Sequence, residues 1–121
     1  MQKVGHMLSV NVVNNVGRTV LHYASTSEEV SLLYAQGADL NVQDVLGLTP
    51  LHLAVIQGNL PVVERLLTLG ANSQLLDNGG WTIKARILLK LTERWIQFEV
   101  RKAYERMLAL CEGVNNQKVA S

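Results

Sequence analysis

The sequence predicts an all-α fold: a short solenoid of paired helices with β-turn tips, closed at its C-terminal end by a divergent helical segment. Three observations carry this reading. Gly17, Gly47 and Gly80 stand 30 and 33 residues apart in matching surroundings, which marks an internal repeat. Apolar residues between these glycines fall at helical rather than strand spacing. Residues 83–112 contain neither Gly nor Pro, so nothing in them forces a break before Gly113.

The middle repeat, 44–76, is complete. Asp44 and Gly47 suit a β-turn, where a short acceptor opens the turn and glycine tolerates positive φ. Thr49 can cap a helix whose first position is Pro50, a residue that gives up no useful donor there. Leu51 and Ala54 point into the stack, and Ala54 is small enough to let neighbours approach. Gly58-Asn59 separates this helix from a second one beginning near Pro61. Val62, Val63, Leu66 and Leu67 then form one apolar stripe, and Gly70 ends the helix with a left-handed cap. Asp44-Val45-Leu46-Gly47-Leu48-Thr49-Pro50-Leu51-His52-Leu53-Ala54 recurs upstream from Asn14 to Ala24, and its opening recurs downstream from Asp77 to Thr82. With its 33-residue period and Thr-Pro-Leu-His-x-Ala core, the pattern resembles the ankyrin repeat. The nonapeptide Leu53 to Pro61 is similar to repeats of the inhibitor-of-NF-kappa-B branch.

The resemblance extends over residues 8–82, and its quality varies. The first repeat, 14–43, is shortened: Ala24 to Gly37 is 13 residues, where Ala54 to Gly70 is 16. Ser25-Thr26-Ser27-Glu28-Glu29 fills the gap with a cap and first-turn acids, so a helix pair with a tighter connection is expected. Residues 1–13 read as the tail of an earlier repeat, since Leu8 to Asn14 aligns with Ala38 to Asp44; a truncated product or alternative start is the expectation. After Thr82 the motif fails. Ile83-Lys84-Ala85-Arg86 replaces Pro-Leu-His-Leu, so 77–82 is expected to supply a turn without its usual first helix.

Residues 83–112 are expected to form an amphipathic segment of one long helix or two shorter ones, followed by a frayed tail over 113–121. Leu89, Ile96, Val100, Ala103, Tyr104, Met107 and Cys111 share one helical face, and Leu88, Leu91, Trp95 and Phe98 form a second. One stripe is expected to cap the stack, because a terminal repeat otherwise leaves its apolar face wet. The other has three uses open to it: packing within the cap, a homodimer through this C-terminal helix, or a partner's groove.

Charge and chemistry narrow the function. Residues 1–80 carry a net −3 and residues 81–121 a net +4, within an overall +1 that argues against nucleic acid or a membrane as partner. The single cysteine, Cys111, forbids an internal disulfide and fits a reducing, intracellular setting, cytoplasmic or nuclear. His22 and His52 hold the histidine of the motif, where the resemblance implies hydrogen bonds tying one turn to the next. No catalytic set, metal-ligand spacing or phosphate loop is present in the sequence, so neither an enzyme nor a cofactor is expected.

The expected function is therefore protein–protein interaction. The resemblance implies contacts through turn tips and the adjoining first-helix face: Arg18, Val45, Leu46, Leu48, Asn78 and Trp81 at the tips, with Ile56 and Gln57 on the helix. Val45, Leu46, Leu48, Ile56 and Trp81 are expected to form one exposed apolar patch, with Trp81 as its anchor. Two rivals stand beside this: a truncated or divergent fragment with no independent activity, and a carrier for a partner-binding C-terminal helix.

Overall fold

A computed structural model describes residues 9–120, with side chains described as far as Glu112. Partial-repeat residues 1–8, His6 among them, and Ser121 lie outside the described residues. Five α-helices and one 3-10 turn make up the fold, and no strand occurs among the described residues. The 3-10 turn covers Val20–Tyr23, α1 covers Ser27–Ala35, α2 Pro50–Gln57, α3 Leu60–Thr68, α4 Ile83–Leu91 and α5 Phe98–Ala120. The 3-10 turn, α2 and α4 stack as a first row, and α1, α3 and α5 as a second row behind it.

The helices α1 to α4 each start where a short polar side chain takes an orphan amide. Thr49 Oγ1 accepts from the His52 N–H at 3.1 Å, and Thr82 Oγ1 accepts from that of Ala85 at 3.1 Å. Thr26 and Glu29 form a reciprocal capping box on α1, as the acids after Ser25 suggest. Asn59 does two jobs. Its Oδ1 accepts from Val62 N–H at 3.3 Å to cap α3, while its Nδ2 donates to the Ser25 carbonyl at 2.9 Å and so ties the second repeat to the first. Gly70, at φ 102°, ends α3, and the Ala71 N–H returns to the Leu66 carbonyl.

Three expectations are corrected. The first repeat keeps its second helix but reduces its first to the single turn Val20–Tyr23. Val20 stands where the middle repeat has Pro50, and the connection is three residues shorter, so the chain turns into α1 before a second turn of α-helix can form. Thr82 is followed by a real first helix: α4 begins at the position of Pro50, and Ile83 and Ile87 are wholly buried. Capping and two β-branched core residues therefore suffice without Pro or His. Lastly, α5 runs through Gly113 and Asn115-Asn116 to Ala120, since their helix cost is only about 1 kcal/mol each.

The terminal segment thus resolves into two helices, with residues 92–97 between them. Tyr104 and Met107 are buried in the core, and Ile96 and Cys111 pack against it. The Tyr104 hydroxyl donates to the Val55 carbonyl at 2.7 Å, closing the C-terminus of α2 beside Gly58. Leu89 departs from its assigned stripe, since it lies on α4 and is 45% exposed.

Gly47 is the tightest point of the stack. At φ 80° it sits in the left-handed region, and a Cβ there would lie 2.6 Å from the Asn78 backbone nitrogen of the next tip. Gly70 also has positive φ but nothing within 4 Å of its virtual Cβ. Gly70→Ala is therefore expected to cost about 1 kcal/mol of backbone strain. Gly47→Ala is expected to cost roughly 1–3 kcal/mol more, from overpacking against the neighbouring backbone. Urea melts of the two variants check this, and equal losses would remove the inter-tip clash from the account.

Candidate protein-binding surface

The tips are built from one polar side chain per repeat. Asp44 Oδ1 accepts from the N–H groups of Leu46 at 2.8 Å and Leu48 at 2.9 Å, while the Gly47 N–H donates to the Asp44 carbonyl. Asn14 plays this part in the first tip, accepting from Val16 and Arg18, and Asp77 in the third, accepting from Gly79 and Trp81. Backbone bonds then join tip to tip. Val45 N–H donates to the Val16 carbonyl at 3.0 Å, Asn78 N–H to that of Leu46 at 2.9 Å, and Asn78 Nδ2 to that of Val45 at 2.8 Å. The row of tips is consequently preformed.

Beneath them run two histidine rungs. His22 Nδ1 accepts from the Thr19 N–H at 3.0 Å, so the proton sits on Nε2, which reaches the Leu48 carbonyl at 3.0 Å. His52 repeats this with the Thr49 N–H at 3.3 Å and the Trp81 carbonyl at 3.1 Å. Burial lowers both imidazole pKa values below the ordinary 6.5, against hydrogen bonds from the ring to those carbonyls that raise them. Burial pushes the Asp44 carboxyl upward, but the Leu48 N–H, Arg18 and the Leu46 N–H together outweigh it and hold the pKa below 3.8. Asp77 is likewise lowered: burial is opposed and overcome by Arg86 and the N–H groups of Trp81 and Gly79.

On this frame the candidate residues divide. Val45 and Leu46 stand on the crest of the second tip at 61% and 56% exposure, beside exposed Val16 of the first. Asn78 is exposed, with its amide already bonded to the neighbouring tip. Arg18 is half-buried and donates from Nε to Asp44 Oδ2 at 2.9 Å, with its guanidinium over the Tyr23 ring. Trp81 is half-buried against Gly79, and Arg86 lies over its ring at 5.5 Å. Leu48 corrects the expected patch: it is buried, because its carbonyl receives the His22 rung and its side chain turns beneath the tip. Ile56 and Gln57 are exposed at the far end of α2, where they line a groove of about 370 Å³ with the α4–α5 connection. The patch is therefore two surfaces, tip crest and helix end, rather than one. Tyr23, exposed and bonded through its hydroxyl to Asn14 Nδ2, adjoins the crest and was missed; its place in the Leu53 column of the repeat is the signal that marks it.

A family model described as Ankyrin repeats (3 copies) matches residues 3–77. The chain belongs to the ankyrin-repeat family. Among its relatives are the ADP-ribosylation factor GTPase-activating protein AGD4 of Arabidopsis thaliana and NF-kappa-B inhibitor alpha of Gallus gallus. The first is 37% identical over 75 residues, covering 60% of this chain and 10% of AGD4; the second is 38% identical over 68, covering 54% and 21%. Protein phosphatase 1 regulatory subunit 27 of Mus musculus is 32% identical over 88 residues, 66% of this chain and 57% of that protein. The chain spans about a tenth of the Arabidopsis relatives it matches. These similarities are too even to single out the inhibitor-of-NF-kappa-B branch. Ankyrin repeats are in general non-enzymatic modules of protein–protein interaction. The matched region stops at Asp77, yet the structure continues with the helix pair α4 and α5 in the place of a further ankyrin unit.

The rungs make acid stability a readout of the ankyrin stack. Each histidine has a folded pKa below its unfolded value, so its contribution is complete above about pH 6.5 and is lost as pH falls from there through the folded pKa. Asp44 and Asp77 contribute above about pH 3.8 and lose that contribution as pH falls further. The thermal midpoint is expected to be level from about pH 8 to 7, to fall in a first step below 6.5, and to fall again below 3.8. Circular dichroism melts across this range check it, and His22→Asn/His52→Asn should remove the first step.

Proposed function

We propose that the chain binds a partner protein through its ankyrin tip crest, with Val45 and Leu46 as the apolar contact and Val16 and Tyr23 at its edge. The observation that carries this is the exposure of Val45 and Leu46 on a turn whose backbone is pinned to the tips on both sides. Turn tips ordinarily carry polar side chains. An apolar crest that is already rigid loses little entropy on binding, and its cost in water is recovered only when it is covered. Arg18, Leu48 and Asn78 then build and hold the crest, and Trp81 offers a partly open ring at its C-terminal edge. Two relatives are named as regulators, one an inhibitor of NF-kappa-B and one a regulatory subunit of protein phosphatase 1, which supports a regulatory binding role within the cell.

The carrier reading, in which the C-terminal helix enters a partner's groove, is less favoured. Tyr104 and Met107 already spend that stripe on the stack.

Leu46→Glu and Val45→Glu are expected to lose partner recovery in a pull-down, at least tenfold, while their circular dichroism melts match the parent. Equal recovery by folded variants would move the binding surface away from the crest.

A further inference from the structure

The two boundaries between successive helix pairs are closed by different side chains. At the first, the Asn59 amide crosses to the Ser25 carbonyl at 2.9 Å and joins the two helix connections directly. At the second, the connection 92–97 is longer than the Gly58-Asn59 step, and the bridge comes from α5 instead. The Tyr104 hydroxyl donates to the Val55 carbonyl at 2.7 Å, and the Tyr104 ring is buried. This closes the base of the boundary, and a groove of about 370 Å³ stays open above it. Its size is at the lower end of the range for ligand clefts.

One wall of the groove is the end of α2, with Ile56 and Gln57. The other is Ile96 on the connection, followed by Val100 and Ala103 on α5. Ile56 and Val100 are 38% and 41% exposed, so water reaches apolar surface on both walls. Trp95 at 87% exposure and Phe98 at 68% lie outside the groove. Its charged residues are Lys90, Glu93 and Glu99. Lys90 reaches Glu93 at 3.5 Å in a pair that water screens, while Glu99 forms no ion pair among the described residues. The groove therefore holds two carboxylates against one ammonium, inside a segment, 81–121, whose net charge is +4.

We propose that this groove docks a peptide segment of a partner protein in which one aliphatic side chain adjoins a single Lys or Arg. The aliphatic side chain would pack against Ile56 and Val100, and the cation would pair with Glu99. Gln57, exposed beside them, offers both a donor and an acceptor to the segment's backbone. An acidic segment would meet two carboxylates at the groove itself, and a polybasic one would meet the positive charge around it. One cation next to one apolar anchor satisfies both constraints. This surface is separate from the tip crest.

The test starts with a displayed heptapeptide library, depleted on the folded Ile56→Gln/Val100→Gln variant and then selected on the full chain. Depletion removes peptides that bind the crest, so the two surfaces are read apart. The enriched sequences are expected to share one aliphatic residue beside one Lys or Arg. In fluorescence anisotropy with such a peptide, Val100→Gln should weaken binding about tenfold. Glu99→Gln should weaken it about threefold, and only while the peptide keeps its cation. Leu32→Ser, exposed on α1, should bind as the parent does. Glu99 and Val100 are exposed, so melts of their variants should match the parent and leave affinity as the only change. No enrichment after depletion, enrichment of acidic sequences, or a Glu99→Gln effect that persists without the cation would each overturn the proposal.

Discussion

The rest of this structure depends on the rung in which one histidine ring bonds two repeats. Its Nδ1 accepts from the N–H of the threonine that starts its own first helix, and its Nε2 donates to the carbonyl four residues after the turn aspartate of the next repeat, Leu48 after Asp44 and Trp81 after Asp77. The two bonds fix the tautomer, the tautomer fixes the ring, and the ring fixes the distance between repeats. Both rings and both threonines are buried, as is Leu48, while Trp81 is half-buried, so an unmade bond would leave a desolvated polar atom on the ring. No buried side-chain N or O atom among the described residues lacks a partner. Register along the stack is thus specified by polar satisfaction as well as by apolar burial, and the tips inherit their alignment from it.

Where the sequence follows this rung, it was readable. Thr49, Pro50, His52, Gly58 and Gly70 each act as their chemistry suggests, and the capping box of Thr26 and Glu29 was legible in the altered first repeat. What was not legible was the helix pair after Thr82. Its first helix has Ile83 for Pro50 and Ala85 for His52, so the motif vanishes while the physics stays: a threonine cap, then isoleucines at i and i+4 facing the core. Ala85 also ends the ladder, since it has no ring with which to reach a following repeat. A missing motif residue here does not mean the absence of a unit.

The site was legible by column more than by residue type. Reading across repeats, positions 15, 45 and 78 and positions 16 and 46 face outward, and positions 18, 48 and 81 turn in. The inward column has its backbone pinned by the turn's Asx acceptor, and in two of its three members the carbonyl also receives a histidine rung. Apolar character alone could not separate Leu46 from Leu48, because hydrophobicity does not report which way a turn residue points. The aligned column does, once one member is known to bond inward. Trp95 was unreadable for a different reason. Its helical stripe presupposes an unbroken helix, and the break at 92–97 takes the ring off that face.

The inward column also explains a residue that no motif accounts for. Arg18 reaches from the first tip to Asp44 in the second, neutralising a carboxylate whose side chain is only 1% exposed. By translation, Asp77 in the third tip needs a cation from position 48, and position 48 is Leu. The Asp77 carboxylate is just as buried, and a buried charge left unpaired costs far more than a surface ion pair is worth. Arg86 supplies the cation instead, from α4 of Asp77's own repeat, with Nε at 3.0 Å and Nη2 at 2.6 Å. That demand gives a physical reason for Arg at a position where the middle repeat has Leu53. One substitution in the second tip and one in the third helix pair are therefore two halves of a single electrostatic solution. It also places a guanidinium over Trp81, which is why the ring expected to anchor a partner is half-covered by its own chain.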